Sequence, residues 1–413
     1  MNYSIKREDS NFLLLKLFLI LSPICDLLTG ICIFKLDMPE GFIGSPSQIY
    51  RLIFLFVLFF RINKRQVRIC IILLLWMLFV ESTCFFYINN PLPFISGLNY
   101  ATKIVFLLLL YFFVKIVIES GTPILKILHV FLFAAFLYAL GIIIPAILGI
   151  GVSSYTEGTF GQKGLYASGN ALGIFMGIAS VLCVLKKKKT FIDICKSLIL
   201  LLSLLLLATK TALLFFIVTV LFFISTRKIY NKILLLCLFA GSIFYFWDYL
   251  TEAFLAVFDV VVFRYEISDS PLAFMLSSRD NYVIDAFTEF YNSSLWVLKL
   301  MIGGGVFMSY RAGYFEDMSF KQLEMDFFDV FFMYGLIGIF CYIGIIFWCI
   351  RKSYNKGWVL FSLVMFFILH SALAGHILFD GVPMTAGVIL VNILDRRKEV
   401  QAEFKIRFIV FLL

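Results

Sequence analysis

Residues 197–225 read SLILLLSLLLLATKTALLFFIVTVLFFIS, and Lys210 is their only charge. A helix needs about 20 apolar residues to cross roughly 30 Å of hydrocarbon. Backbone groups in lipid must be satisfied within the segment, which favours helices. Two spans are therefore expected here, 191–207 and 211–225, joined by a very tight turn at Thr209–Thr211. Working outward, similar runs occupy 12–34, 48–60, 69–88, 100–118, 124–150 and 168–185 on one side, and 233–250, 325–350, 357–375 and 381–394 on the other. That makes about twelve spans of the length the bilayer requires, with 48–60 and 381–394 the shortest. The alternating strands of a barrel are absent. The expected fold is all-α, a polytopic integral membrane helix bundle, with residues 1–413 as one domain.

Composition agrees with this reading. The chain is 62% hydrophobic and 15% charged, against about 45–50% and 25% in soluble domains. The mean hydropathy is +1.00. A single soluble core rarely grows past about 250–300 residues and cannot absorb so much apolar surface. Fifty Phe and nine Pro exclude a disordered chain. The net charge of +9 does not indicate nucleic acid, because Lys and Arg collect in cytoplasmic loops and set orientation. Basic clusters at Arg61–Arg68, Lys186–Lys189, Arg227–Lys232, Arg351–Lys356 and Arg396–Lys398 fall on one side if Lys6 and Arg7 are cytoplasmic. Both termini are then inside, and the first run is read as a retained span, with no small-residue cleavage site.

The outside receives one sizeable piece, a large extracytoplasmic loop at 251–323. Within it, Val283, Ala286, Phe287 and Phe290 share a helical face while Asp285 and Glu289 point elsewhere. An amphipathic helix over Asn281–Met301 is expected, with Ser277 to Asp280 as its start. The nine cysteines form no CxxC pair, so neither a metal site nor a disulfide framework is expected.

Cations on the outer side run against the positive-inside bias. Lys210 is either a snorkelling turn residue or an anion site fixed by its hairpin. Lys163 lies among glycines that let backbone approach a ligand, and Asn170 is a site residue or a plain helix cap. Arg279 opens the amphipathic helix, where an arginine and exposed N–H groups can hold an anion. Gly303–Gly305 is a flexible turn or a ligand contact, followed by Arg311; no Walker-type loop follows. Glu324, Asp326 and Asp329 stand where the loop re-enters the membrane, and Asp326 and Asp329 share a face. His376 and Asp380 form a pair just outside a span, while His129 and His370 are read as buried partners. Lys35, Arg264, Lys299 and Lys321 are expected on a solvated surface.

In this order the pieces resemble the O-antigen polymerase and ligase superfamily of bacterial envelope polysaccharide assembly. The resemblance rests on Lys163, Gly164 and Asn170, the basic hairpin at Lys210, Arg279, the glycines 303–305, and Tyr334-Gly335-Leu-Ile-Gly338. It covers roughly residues 150–345; the first 150 residues add only spans. Ligases of this superfamily place a His near the end of the large loop, where this chain reads Lys321-Gln-Leu-Glu324-Met-Asp326. That departure favours the polymerase branch. The resemblance implies an enzyme of the bacterial cytoplasmic membrane, without metal or cofactor. It would join undecaprenyl-pyrophosphate-linked oligosaccharide repeat units, donor and acceptor, with a chain-length regulator as partner. In that reading Arg279, Lys163, Lys210 and Arg311 converge on the pyrophosphate. Asn170, Gly303, Asp329 and His376 face the glycan, and Asp326, with Glu324 as alternative, is the base. An O-antigen ligase and a lipid-linked oligosaccharide flippase are the competing readings.

Overall fold

A computed structural model describes residues 2–39, 44–86, 91–154, 161–187, 189–225, 262, 265, 279–309, 322–354, 357–375, 377–396, 399–400 and 404, with side chains from residue 10 onward. Eight helices come first: α1 (Asn2–Lys35), α2 (Pro46–Phe59), α3 (Lys64–Ser82), α4 (Leu92–Glu119), α5 (Ile124–Ile147), α6 (Gly169–Leu185), α7 (Phe191–Leu207) and α8 (Lys210–Ser225). Two shorter helices, α9 (Arg279–Asn292) and α10 (Trp296–Ile302), precede α11 (Asp326–Tyr354), α12 (Trp358–Ala374) and α13 (Gly381–Asp395). No strand occurs among the described residues. This is a polytopic helical membrane protein. Each expected span coincides with a helix except 233–250, which lies outside the described residues. Among the described residues five helical segments are long and apolar enough to cross a bilayer: Ser10–Lys35, Lys64–Phe86, Leu92–Glu119, Ile124–Ile147 and Asp326–Tyr354.

The bundle packs around α5 and α6, whose inward faces are almost wholly buried. Helix α6 packs closely on α8. Gly169, Gly173 and Gly177 recur every four residues on α6. A Cβ at Gly177 would meet the Phe215 ring at 2.2 Å, and one at Gly173 would meet the Ala212 backbone nitrogen at 3.3 Å. Small residues at this spacing let two backbones approach, which is how helices associate where lipid removes the hydrophobic drive. Outward faces carry exposed Leu, Ile and Phe, such as Phe56, Ile72, Leu75 and Phe340. That apolar exterior suits contact with lipid.

Two chain features build the end of the bundle where α11 begins. First, α11 is broken at Gly335 (φ 58°, ψ −157°). Gly303, Gly304 and Gly305 cross this break directly. Gly304 N–H donates to Phe332 O and Gly305 N–H to Met333 O, both at 3.0 Å. A Cβ at Gly303 would sit 2.1 Å from Met333 O, so only glycine permits the crossing. Second, Glu81 of α3 closes the crossing, accepting from Val306 N–H at 2.9 Å and Tyr334 OH at 3.1 Å.

The amphipathic segment is two helices rather than one, parted at Leu295 in the left-handed region (φ 58°). Its face is the expected one: Val283, Ala286 and Phe290 are buried, while Asp285 and Glu289 are exposed. This face packs on Met308, Leu323, Met325 and Phe332, so α9 lies on the bundle beside the start of α11.

Candidate functional site

The start of α11 gathers the charged residues of the loop segment. Arg279, on the first turn of α9, is 9% exposed. Its Nη2 donates to Glu324 Oε2 at 2.8 Å and its Nε donates to the same oxygen at 3.3 Å. The Glu324 side chain is 25% exposed. Glu324 takes a left-handed backbone (φ 63°) although it is not glycine. Such a conformation costs of order 1–3 kcal/mol and persists only where the surroundings over-determine it. The surroundings are visible. Asp329 Oδ1 accepts from Leu323 N–H at 3.1 Å, and its Oδ2 accepts from Met325 N–H at 3.2 Å. One carboxylate thus clamps the residues on both sides of Glu324. From the far side Gly375 (φ 59°) presses against it; a Cβ there would lie 2.5 Å from the Glu324 carbonyl carbon.

Asp326 opens α11. It shares its face with Asp329, as expected, but has no exposed surface. Its Oδ2 accepts from Ser371 Oγ at 2.6 Å, Ile377 N–H at 3.1 Å and Leu378 N–H at 3.3 Å. These donors belong to α12 and the α12–α13 connection, which Asp326 pins to α11. Oδ2 is thus taken by one hydroxyl and two backbone N–H groups, an arrangement that suits an anchor. The two backbone N–H groups on Asp329 suit an anchor as well.

Other expected residues divide in the same way. Gly303 contacts α11 backbone and faces no open space. Asn170 is not the cap of α6; Ser168 is, accepting from Ala171 N–H at 3.3 Å. Lys163 donates from Nζ to Ala167 O at 3.1 Å and stands 4.7 Å from the Phe34 ring centroid. It therefore faces the end of α1. Lys210 is exposed on the first turn of α8. Asp380 caps α13 through Val382 N–H. Arg311 and His376 lie outside the described residues. His370 is buried against Thr211 Oγ1 at 3.1 Å, whereas His129 is exposed, not buried. Lys299 is 3% exposed rather than solvated, and burial pushes its ammonium down to about 8. Among the described residues no cluster of His, Cys, Asp or Glu could hold a metal ion.

Glu81 was missed from sequence. Its signal was a lone acid in an otherwise apolar span, which is expensive and marks a partner. That partner is the glycine crossing, more than 200 residues away.

A protein-family model described as O-antigen ligase like membrane protein matches residues 8–241. The chain belongs to this family. The match takes in the first 150 residues, which by sequence reading added only spans, and it ends before Arg279. No curated protein matches the chain. A membrane enzyme of the O-antigen ligase and polymerase superfamily, acting on lipid-linked glycans in the membrane, follows from family membership.

Proposed function

We propose that the chain is the polymerase of lipid-pyrophosphate-linked oligosaccharide repeat units, working at the outer face of the cytoplasmic membrane. One observation carries this reading: the Arg279–Glu324 pair at the start of α11. Glu324 stands where ligases of the superfamily carry His. It is the least buried acid of the three, with Asp326 and Asp329 engaged by backbone N–H groups and the Ser371 hydroxyl.

In the proposed reaction the acceptor hydroxyl oxygen attacks the anomeric carbon of the donor glycan. The bond from that carbon to the pyrophosphate oxygen breaks, and its electron pair stays on the pyrophosphate. The hydroxyl proton passes to the Glu324 carboxylate. Negative charge grows on the leaving group, and a fixed guanidinium beside it stabilises that charge. Arg279 suits both tasks. Its Nε and Nη2 hold Glu324, and its planar fork leaves a second edge for a phosphate. Each charge-assisted bond is worth about 1.5–3 kcal/mol. Lys210 and Lys163 act as further point charges for the diphosphate, and no metal is needed for these steps.

The ligase is the second reading, named in the description of the matched family. Purified protein supplied only with lipid-linked repeat units and a chelator separates the two. A ladder of polymer supports the polymerase. No ladder, with transfer once a lipid-anchored core oligosaccharide is added, supports the ligase. Substrate that crosses the bilayer unchanged supports a flippase.

A further inference from the structure

A second cluster of charged residues lies on α1, α2 and α4. Asp26 of α1 accepts from Arg51 Nη2 of α2 at 2.7 and 3.0 Å. Tyr138 OH and Ser22 Oγ also donate to Asp26, so its oxygens are filled. Arg51 spends only Nη2 on this pair; its Nε is buried with no hydrogen-bond partner. Lys103 of α4 has Asp380 as its acid neighbour, and its ammonium stands 4.5 Å from the Tyr100 ring centroid. A cation within a span costs at least about 2.5–3.5 kcal/mol. Lys103 sits eleven residues into α4, three past the expected start of its apolar span.

Arg51 and Lys103 line one cavity of about 440 Å³, with Asp26 and Asp380. Its wall is largely apolar. The large exposed side chains in that wall, Ile49, Leu52, Ile95 and Leu98, come from α2 and α4 and are 37–49% exposed on the bundle surface. Cations within a largely apolar wall, beside exposed apolar side chains of two helices, match a lipid carrying phosphate.

We propose that this cavity binds the phosphate-bearing head of a second lipid-linked glycan, its hydrocarbon chain leaving between α2 and α4. The inference rests on the polymerase reading, because that reaction consumes two lipid-linked molecules. Lys103 and the open edge of Arg51 hold the phosphate. Asp380, beside both cations, accepts from sugar hydroxyls.

The test is native mass spectrometry of the full chain with undecaprenyl pyrophosphate as probe. Phosphatidylglycerol and inorganic phosphate are run as separate arms. Wild type should retain two polyprenyl lipids. Lys103→Gln should lose one, with at least a tenfold weaker affinity, and Arg279→Ala should lose the other. Lys103→Arg should restore the second lipid, which a merely misfolded variant would not allow. Full occupancy in Lys103→Gln overturns the proposal. So does a Lys103-dependent site that takes phosphatidylglycerol or inorganic phosphate and rejects the polyprenyl lipid. One lipid in wild type, lost with Arg279→Ala alone, removes this cavity and leaves the polymerase reading standing. Two lipids bound as predicted, with no ladder from lipid-linked units, removes the polymerase reading instead, and with it the substrate role of the second lipid.

Discussion

Replacing Asp329 by Ala removes the acceptor on which the Leu323 and Met325 N–H groups converge. Both donors are buried, and Asp329 itself is 1% exposed. Hydrogen bonds to a charged group contribute about 1.5–3 kcal/mol each, so two give about 3–6 kcal/mol as an upper range. Water entering the space left by the carboxylate lowers this, and a loss of about 3 kcal/mol is expected. Glu324 loses its clamp at the same time, so its left-handed backbone relaxes and the Arg279 contact loosens. Asp329→Asn keeps one acceptor oxygen and turns an NH₂ toward the other donor, so it should rescue only in part. The assay is reversible unfolding in mixed micelles, paired with the polymer ladder. Unfolding within 0.5 kcal/mol of wild type, the spread usual for an inconsequential surface change, together with a normal ladder from Asp329→Ala, would refute the clamp.

Gly375→Ala should cost at least about 1–3 kcal/mol from its left-handed backbone alone. The methyl would also push on the Glu324 carbonyl carbon, so the ladder should shorten more than stability alone explains. Glu81→Gln should destabilise by about 1–3 kcal/mol, because Val306 N–H and Tyr334 OH lose a charged acceptor; micelle unfolding measures this. The Lys299 ammonium titrates at about 8 in the folded chain against 10.5 ordinarily. Between those values the unfolded chain binds the extra proton, so stability should rise with pH from about 8 to 10.5 and stay level below 8. Lys299→Met should flatten that rise in unfolding curves. On a cysteine-free background, a cysteine at Leu295 should label from outside intact cells and one at Lys187 only after permeabilisation. The reverse pattern would invert the proposed orientation.

The helices were legible because lipid-facing runs are written in hydropathy alone. Helix α4 starts eight residues before the expected 100, since Pro91, Ser96 and Asn99 read as loop while in fact lining the bundle end. Arg279 and Glu324 could be named from position and charge. What each acid touches could not. Asp326 and Asp329 share a face by spacing, yet the groups on that face arrive from residues 323–325, 371 and 377–378. Glu81 pairs with the glycine crossing, and Asp26 with Arg51 and Tyr138, over separations that no local pattern encodes. The α6 glycines do recur locally, and the every-fourth spacing of Gly169, Gly173 and Gly177 would have revealed the α8 contact.

The central claim is that Arg279 and Glu324 carry the transfer. Its most direct test is Glu324→Gln in purified protein, measuring lipid-linked repeat-unit binding and ladder formation on the same sample. The account predicts retained binding with the ladder lost, and binding weakened alongside transfer in Arg279→Lys, because lysine cannot serve the carboxylate and the phosphate at once. A normal ladder from Glu324→Gln would contradict it.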